Sequence, residues 1–568
     1  MNNQDSRIIL EDQQNDFLYK KNKSNLNISF NRISFIFFVF FVICLIYSIH
    51  LIHLGSRKVK NDLNDLNDLN DFKQLTNKLY RADIVDRNGK YLVKTVESID
   101  VGISPSKIID EKKLLINLKY IFPNKDFREV KERIEKGKFF HFEKKISEDK
   151  YEKIMQLGDK SIEPRDNLTR IYPQKNLFGH IIGQIDDDNN GISGLEKSLD
   201  ENLKQYQQPL KLSVDKDIQF LIREELIKFN KVFNTLGSAA ILMDVNNGEI
   251  LSLISLPDFD PNKRQKISDL NFINRATKGV YEFGSVFKTF TLAAAFDEKI
   301  IEPETEFKNL PKNLTCAGFP IREYDKDIPP SLSAEQILIR SGNIGSVKIG
   351  QKIGEEKYKS FLSKIGVLNK ISFDIEEVGK PIKFNWGKCP LATASFGHGI
   401  TTTLLQIAKA YSIISNGGFD IHPTLILKKE KSINKKRVLD KEVSKKILPI
   451  LRKIVTTKEG TASLANVDGY EIGGKTGTAQ KSIAGSYSKK KINSFVSIFP
   501  ISQPKYVLAV MLDEPKTNKE YIYHYRDGSN IKYKGTPFNT AGWTTVEVTG
   551  QIVEKIGPIL ATKYSDVN

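Results

Sequence analysis

Ser285-Val286-Phe287-Lys288 is the stretch from which the rest of this chain is read. Two short motifs follow it in order, Ser341-Gly342-Asn343 and Lys475-Thr476-Gly477-Thr478. Each alone has a structural explanation: Ser285 and Lys288 as a helix surface, Ser341 and Asn343 as a turn, Lys475 to Thr478 as a loop. Their occurrence in this order on one chain outweighs those explanations. Phe287, Thr291, Ala294 and Ala295 continue an apolar run beyond Ser285, which describes a helix buried on most sides. Positions i and i+3 share a helix face, so the Lys288 ammonium is expected within reach of the Ser285 hydroxyl.

A serine hydroxyl is a weak nucleophile without an adjacent base, and a lysine is a base only after losing its proton. Burial and a second cation both promote that loss. In this scheme Ser285 is the nucleophile, Lys288 the general base and Lys475 the second cation. Ser341 relays a proton to a leaving amine, and Asn343 holds a substrate amide. Along an edge strand, Lys475, Thr476 and Thr478 offer a charge and hydroxyls to a substrate carboxylate, while Gly477 keeps the strand surface clear. The backbone N–H groups of Ser285 and Thr478 form an oxyanion hole.

The chain has 568 residues, 40% hydrophobic and 27% charged, which fits a globular protein of more than one domain. Its net charge of +17 raises nucleic acid, anionic membrane or acidic substrate as partners. No basic run with interleaved aromatics and no zinc-finger or RNA-binding signature accompanies it, so nucleic acid is set aside. Lysines spread over solvated faces account for the charge. Of three cysteines, Cys44 lies in an apolar segment, and Cys316 and Cys389 are either a disulfide pair or free thiols. There is no C-x-x-C or Cys/His cluster, and neither a metal nor a cofactor is expected.

Residues 33–54 contain no Asp, Glu, Lys or Arg and are long enough to cross a hydrocarbon core of about 30 Å as a helix. No small-residue cleavage site follows, so an uncleaved anchor is expected, with residues 1–32 as a tail. Lysines and arginines flank both ends equally and do not orient it. Residues 55–80 read as a linker. Its Asn-Asp-Leu repeat places Leu63, Leu66, Leu69 and Phe72 at period three, which drifts around a helix and suits a spacer. Residues 81–213 read as a mixed, non-catalytic pedestal, opened by a hairpin turn at Asp86-Arg87-Asn88-Gly89. Residues 214–562 form the catalytic domain. Strand-like runs lie at both its ends, Ala239–Asp244 with a second strand from Glu249, then Ser494–Phe499 and Tyr506–Leu512. Helical sequence lies between them. This is an α+β plan whose antiparallel sheet joins the first and last parts of the domain.

A competing pattern needs exclusion. Gly469 to Thr476 satisfies the P-loop spacing, and Tyr506 to Glu514 ends like a magnesium-binding strand. A P-loop must lead into a helix, yet Gly477-Thr478-Ala479-Gln480 runs into a polar stretch without helical periodicity.

With these residues in view, the chain resembles the class B penicillin-binding proteins over nearly its whole length. Arg81-Ala82-Asp83-Ile84-Val85-Asp86-Arg87-Asn88-Gly89 is similar to the family's opening motif after its anchor, and Gly194-Leu195-Glu196 to its second pedestal motif. Ser395-Phe396-Gly397-His398-Gly399-Ile400, Met511-Leu512-Asp513-Glu514-Pro515-Lys516 and Thr540-Ala541-Gly542-Trp543 are most similar to the FtsI division type. Two positions depart from the pattern: Leu404 and Glu547 stand where the family usually has proline.

The resemblance implies peptidoglycan stem peptides ending in D-Ala-D-Ala as substrate, acylation of Ser285, and cross-linking by a neighbouring stem's amine. It implies acylation of the same serine by β-lactams and a membrane-embedded FtsW-type glycosyltransferase partner. It further implies single-pass anchoring in the bacterial cytoplasmic membrane, with the catalytic domain in the periplasm. Elongation-type transpeptidation is the nearest alternative. A β-lactamase lacks support, because no Glu-x-x-Leu-Asn segment lies between Ser341 and Lys475. A non-catalytic β-lactam sensor is expected to carry further spans and an effector domain.

Overall fold

The computed structural model describes residues 35–51 and 81–564, except 207, 264–271, 317, 429–435 and 484–485. Residues 35–51 form a helix whose residues are all exposed. Among the described residues, no helix is long and apolar enough to cross a membrane. Both ends of the expected 33–54 span, the tail before it and the Asn-Asp-Leu spacer lie outside the described residues.

From Arg81 onward the chain forms one compact unit. Its first sheet begins with β1 (Ile84–Val85) and β2 (Tyr91–Ile103), paired antiparallel. The turn between them closes because the Asp86 carboxylate accepts from Asn88 N–H at 2.9 Å and from Lys90 N–H at 2.8 Å. The long β2 strand pairs with β3 (Phe140–Ile146) and β4 (Ile162–Ile171). β5 (Leu210–Lys211) runs parallel to β1. Helices α1 (Glu111–Ile121), α2 (Phe127–Glu135) and α3 (Glu148–Met155) cover the far half of β2. There Val101, Ile103, Leu114, Leu118 and Phe142 form a separate small core.

The two pedestal motifs read from the sequence meet at a buried ion cluster. Arg81 Nε donates to Glu196 Oε2 at 2.5 Å and Arg170 Nε to Glu196 Oε1 at 2.8 Å, with all three side chains essentially without solvent contact. Asp200 takes a further bond from Arg81 at 2.7 Å. Each charge is therefore answered inside the protein, the condition under which buried ions are tolerated.

The second sheet has the order β12-β13-β14-β6-β7. Its strands are β6 (Gly237–Asp244), β7 (Ile250–Leu256), β12 (Gly473–Ile483), β13 (Ser486–Phe499) and β14 (Tyr506–Asp513), all antiparallel. The pairing of β14 with β6 brings the ends of the catalytic region together, as the sequence suggests. Alternate side chains enter opposite cores. Ala239, Ile241 and Met243 face one cluster with Phe287 and Leu405, whereas Ala240 and Leu242 face another with Ile222 and Ile552. Burial on both faces explains why these strands read as continuous apolar runs. Helix α4 (Lys216–Val232) covers one face, its N-terminus capped by the Asp215 carboxylate. Helix α5 (Phe287–Asp297) belongs to the other.

Two small two-stranded sheets lie in the segment after α5. β8 (Glu306–Phe307) pairs with β11 (Leu332–Ser333), and β9 (Asn313–Cys316) with β10 (Phe319–Arg322). Next to them stand α6 (Asn343–Ile353) and α7 (Lys388–Ala394). A Cys316–Cys389 disulfide ties β9 to α7, which decides between the two states open from the sequence. The departures from proline have local reasons. Leu404 is the first residue of α8 (Leu404–Ser415), capped by Thr403, a position that accommodates proline because its N–H has no partner within the helix. Glu547, buried in α9 (Thr545–Lys563), pairs with Arg526 at 2.7 Å.

The ion cluster makes the pedestal fold testable. Glu196→Ala leaves Arg81 and Arg170 buried without their shared carboxylate and should cost about 3–5 kcal/mol, read as a lowered urea midpoint. A midpoint matching the parent protein would show that Asp200 alone suffices.

Candidate active site

The three sequence motifs come from separate elements and meet at one place. Gly284, Ser285 and Val286 form a 3-10 turn that leads into α5, whose residues Phe287 to Phe296 are all buried. Two glycines let this turn lie directly against β12. Gly284 has φ +54°, and a side chain on it would sit 2.8 Å from the Thr478 carbonyl oxygen. A side chain on Gly477 would run into the Phe283 carbonyl and the Ser494 hydroxyl. Gly477 thus serves the contact with the nucleophile turn. Among the described residues β12 pairs with β13 alone, so no strand lies along its other edge. In an extended strand the N–H and C=O of one residue point to the same edge. The Thr478 N–H therefore shares the edge on which its carbonyl meets the serine turn.

Lys288 and Lys475 are both buried, 2% and 0% exposed. Lys288 Nζ donates to Asn343 Oδ1 at 2.6 Å, to the Ser341 carbonyl, and to Ser341 Oγ at 3.2 Å. Lys475 Nζ approaches the same Ser341 Oγ at 2.9 Å. One hydroxyl therefore bridges two lysine nitrogens. Burial pushes the Lys288 ammonium down to about 7, against a smaller opposing effect of the Glu323 carboxylate. Burial, then the neighbouring Lys288, holds Lys475 well below the ordinary lysine range. A neutral Lys288 that donates its two hydrogens to the Ser341 and Asn343 carbonyl oxygens keeps its lone pair for a hydroxyl proton.

Among the described residues no hydrogen bond joins Ser285 Oγ to Lys288, whose Nζ is bonded to the 341–343 turn. Ser285 lies in the 3-10 turn before the α-helix, and the three oxygens of the 341–343 turn draw Lys288 Nζ to themselves. Ser341 itself has φ +59°, a conformation a non-glycine residue holds only where its surroundings enforce it.

Asn343 is fixed at three points: its N–H by Glu323 Oε2 at 2.6 Å, its Nδ2 by the Arg322 carbonyl at 2.7 Å, and its Oδ1 by Lys288. One Nδ2 hydrogen remains for a ligand. The Thr478 hydroxyl accepts from Ala541 N–H at 3.0 Å and keeps its own proton to donate. Thr476 Oγ1 lies 2.7 Å from Thr461 Oγ1 and 3.4 Å from Lys475 Nζ. At the other side of the serine turn, the Tyr487 hydroxyl donates to Glu282 at 3.0 Å, and the Tyr487 ring stacks on His398.

Glu323 and Thr461 were not found from the sequence. Neither lies inside a motif, and their roles arise from segments that only folding brings to the site. The P-loop alternative is set aside by the fold, since Gly469–Thr476 leads into strand β12 rather than a helix. With a buried lysine as proton acceptor, a strand edge that carries a second lysine and two threonine hydroxyls, and a serine at a helix start, the site is equipped for acyl transfer through a covalent intermediate.

Comparison with known proteins agrees with this chemistry. The family model "Penicillin binding protein transpeptidase domain" matches residues 238–529. The model "Penicillin-binding Protein dimerisation domain" matches residues 76–224. The probable peptidoglycan D,D-transpeptidase FtsI of Caulobacter vibrioides is 28% identical over 502 residues, covering 85% of this chain and 82% of that protein. Stage V sporulation protein D of Bacillus subtilis is 30% identical over 483 residues, 77% and 74% of the two chains. Among solved structures, penicillin binding protein 3 of Mycobacterium tuberculosis shares the fold with a TM-score of 0.63 at 21% identity, over 85% of this chain and 96% of that one. From the matched families and the site they enclose, the chain belongs to the class B penicillin-binding proteins, with a transpeptidase domain following a dimerisation domain.

Proposed function

We propose that this protein is a peptidoglycan D,D-transpeptidase that cross-links stem peptides through a Ser285 acyl-enzyme. The observation that carries the reading is the Ser341 hydroxyl held between two buried lysines, 3.2 Å from Lys288 and 2.9 Å from Lys475, beside the turn that bears Ser285. Neutral Lys288 takes the Ser285 proton as Ser285 Oγ bonds to the carbonyl carbon of the penultimate D-Ala. The Ser285 and Thr478 N–H groups receive the oxyanion. The C–N bond to the last D-Ala then breaks, and its nitrogen takes a proton through Ser341. A stem amine next attacks the ester, loses its proton along the same path, and returns the Ser285 hydroxyl.

The terminal carboxylate is assigned to the Thr476 and Thr478 hydroxyls and the Lys475 charge. Thr461 supports this arrangement. When its hydroxyl donates to Thr476 Oγ1, the Thr476 proton is left to point at the carboxylate. The substrate amide is assigned to the free Asn343 Nδ2 hydrogen, and β-lactams, as analogues of the acylating end, to the same serine.

A septal role with an FtsW-type glycosyltransferase partner rests on the FtsI names of relatives from Caulobacter vibrioides and Buchnera aphidicola. Anchoring through residues 33–54 in the cytoplasmic membrane, with residues 81–213 as pedestal and 214–562 as periplasmic catalytic domain, rests on the apolar segment. The Cys316–Cys389 disulfide supports that location, because such bonds persist in oxidising compartments.

Three outcomes are expected. Incubation with benzylpenicillin should add one equivalent of mass at Ser285, and Ser285→Ala should remove the adduct while the fold survives. Labelling that persists in that variant would refute the assignment. Acylation should rise about tenfold per pH unit up to the Lys288 pKa of about 7 and then level off, because only the neutral amine accepts the proton. A flat profile from pH 5 to 9 would argue for another base. Thr461→Val should narrow the preference for benzylpenicillin over its neutral methyl ester by roughly tenfold, with Thr461→Ser restoring it. An unchanged preference would remove Thr461 from carboxylate recognition.

A further inference from the structure

Glu323 directly follows β10, in the hairpin that the Cys316–Cys389 disulfide ties to α7. Ile321 of the same hairpin packs with Val347 of α6 and Ala392 of α7 in a small core. The carboxylate spans the first turn of α6. Oε2 accepts from Asn343 N–H at 2.6 Å and Oε1 from Ile344 N–H at 2.8 Å. The N-cap of this 11-residue helix is Gly342, which has no side chain to satisfy those N–H groups. An anion at this position also answers the positive end of the helix. The neighbouring Arg322 carbonyl holds Asn343 Nδ2 at 2.7 Å. Two consecutive residues of the hairpin therefore grip the residue whose Oδ1 receives Lys288 Nζ. Just before Asn343 stands Ser341 at φ +59°, a turn that unclamped would relax.

We infer that Glu323 is a positioning residue for acyl transfer, its carboxylate clamping the Ser341–Asn343 turn onto Lys288. The inference rests on the reading of Ser285 and Lys288 given above. Among the described residues, the titratable groups that act on Lys288 or are acted on by it are Lys475 from β12 and Glu323 from the hairpin. The next pair along the loop, Arg340 with Asp325 at 2.9 Å, is closed on itself. The anion at Glu323 raises the Lys288 pKa against the larger lowering by burial. Its removal makes Lys288 neutral at lower pH.

The test is the second-order rate of benzylpenicillin acylation of the full-length protein in detergent between pH 5 and 9. Glu323→Gln keeps an acceptor oxygen but loses the charge. It should lower the plateau about tenfold and move the acid limb down by about half a unit or more. Glu323→Asp keeps the charge on a shorter arm, so it should lower the plateau while leaving the limb in place. A near-ultraviolet circular dichroism spectrum matching the parent protein identifies folded variants; if Glu323→Gln does not fold, Glu323→Asp decides alone. Parent-like plateaus in the folded variants would overturn the clamp. An unmoved limb in Glu323→Gln, or a moved one in Glu323→Asp, would overturn the charge effect. Absence of acylation in the parent protein would overturn the transpeptidase reading and this inference with it.

Discussion

Desolvation of two lysines against one hydroxyl is the constraint on which the rest of the catalytic region depends. An ammonium in water has no reason to lose its proton at neutral pH. Moving Lys288 from 10.5 to about 7 represents on the order of 5 kcal/mol against the charged form. That penalty is present in full below about pH 7, where the lysine is charged in both folded and unfolded chains. It fades as pH rises towards 10.5, because the unfolded chain holds the proton in that window and the folded one does not. Lys475, equally buried and within reach of the same Ser341 hydroxyl, adds repulsion that keeps the pair from holding two protons with ease.

Such a site has to be enclosed by structure that is stable for other reasons. Helix α5 is buried along its whole length from Phe287 to Phe296, and the strands of the main sheet are packed on both faces. The nucleophile turn and β12 are pressed together at Gly284 and Gly477, where no larger residue fits. The Ser341 turn is held from the opposite side by a hairpin fixed through a disulfide and three hydrogen bonds. Water is kept from the lysines by this packing, and β12 stands at the end of its sheet.

Local signals carried far in this chain. The Asp86-Arg87-Asn88-Gly89 turn between β1 and β2 is written in a few residues that fold against near neighbours. The strands β6 and β14 were legible as apolar runs, and their pairing followed from the need to bury both. Less was legible where a residue's partner lies far along the chain. Helical spacing placed Lys288 on Ser285, but three oxygens of a distant turn compete for its nitrogen. Thr461 and Glu323 carry no motif, and whether Cys316 and Cys389 join could not be decided from spacing.

The ordered set of reactive residues, the antiparallel sheet and the family were readable from side-chain order alone, because a nucleophile, its base and the strand beside them need particular side chains at short spacings. The tertiary structure alone decided which lysine nitrogen meets which hydroxyl, which carboxylate caps α6, and whether two cysteines join. The physical reason is that proton affinity and hydrogen bonding depend on burial and on distances of about 3 Å, and long-range packing sets both.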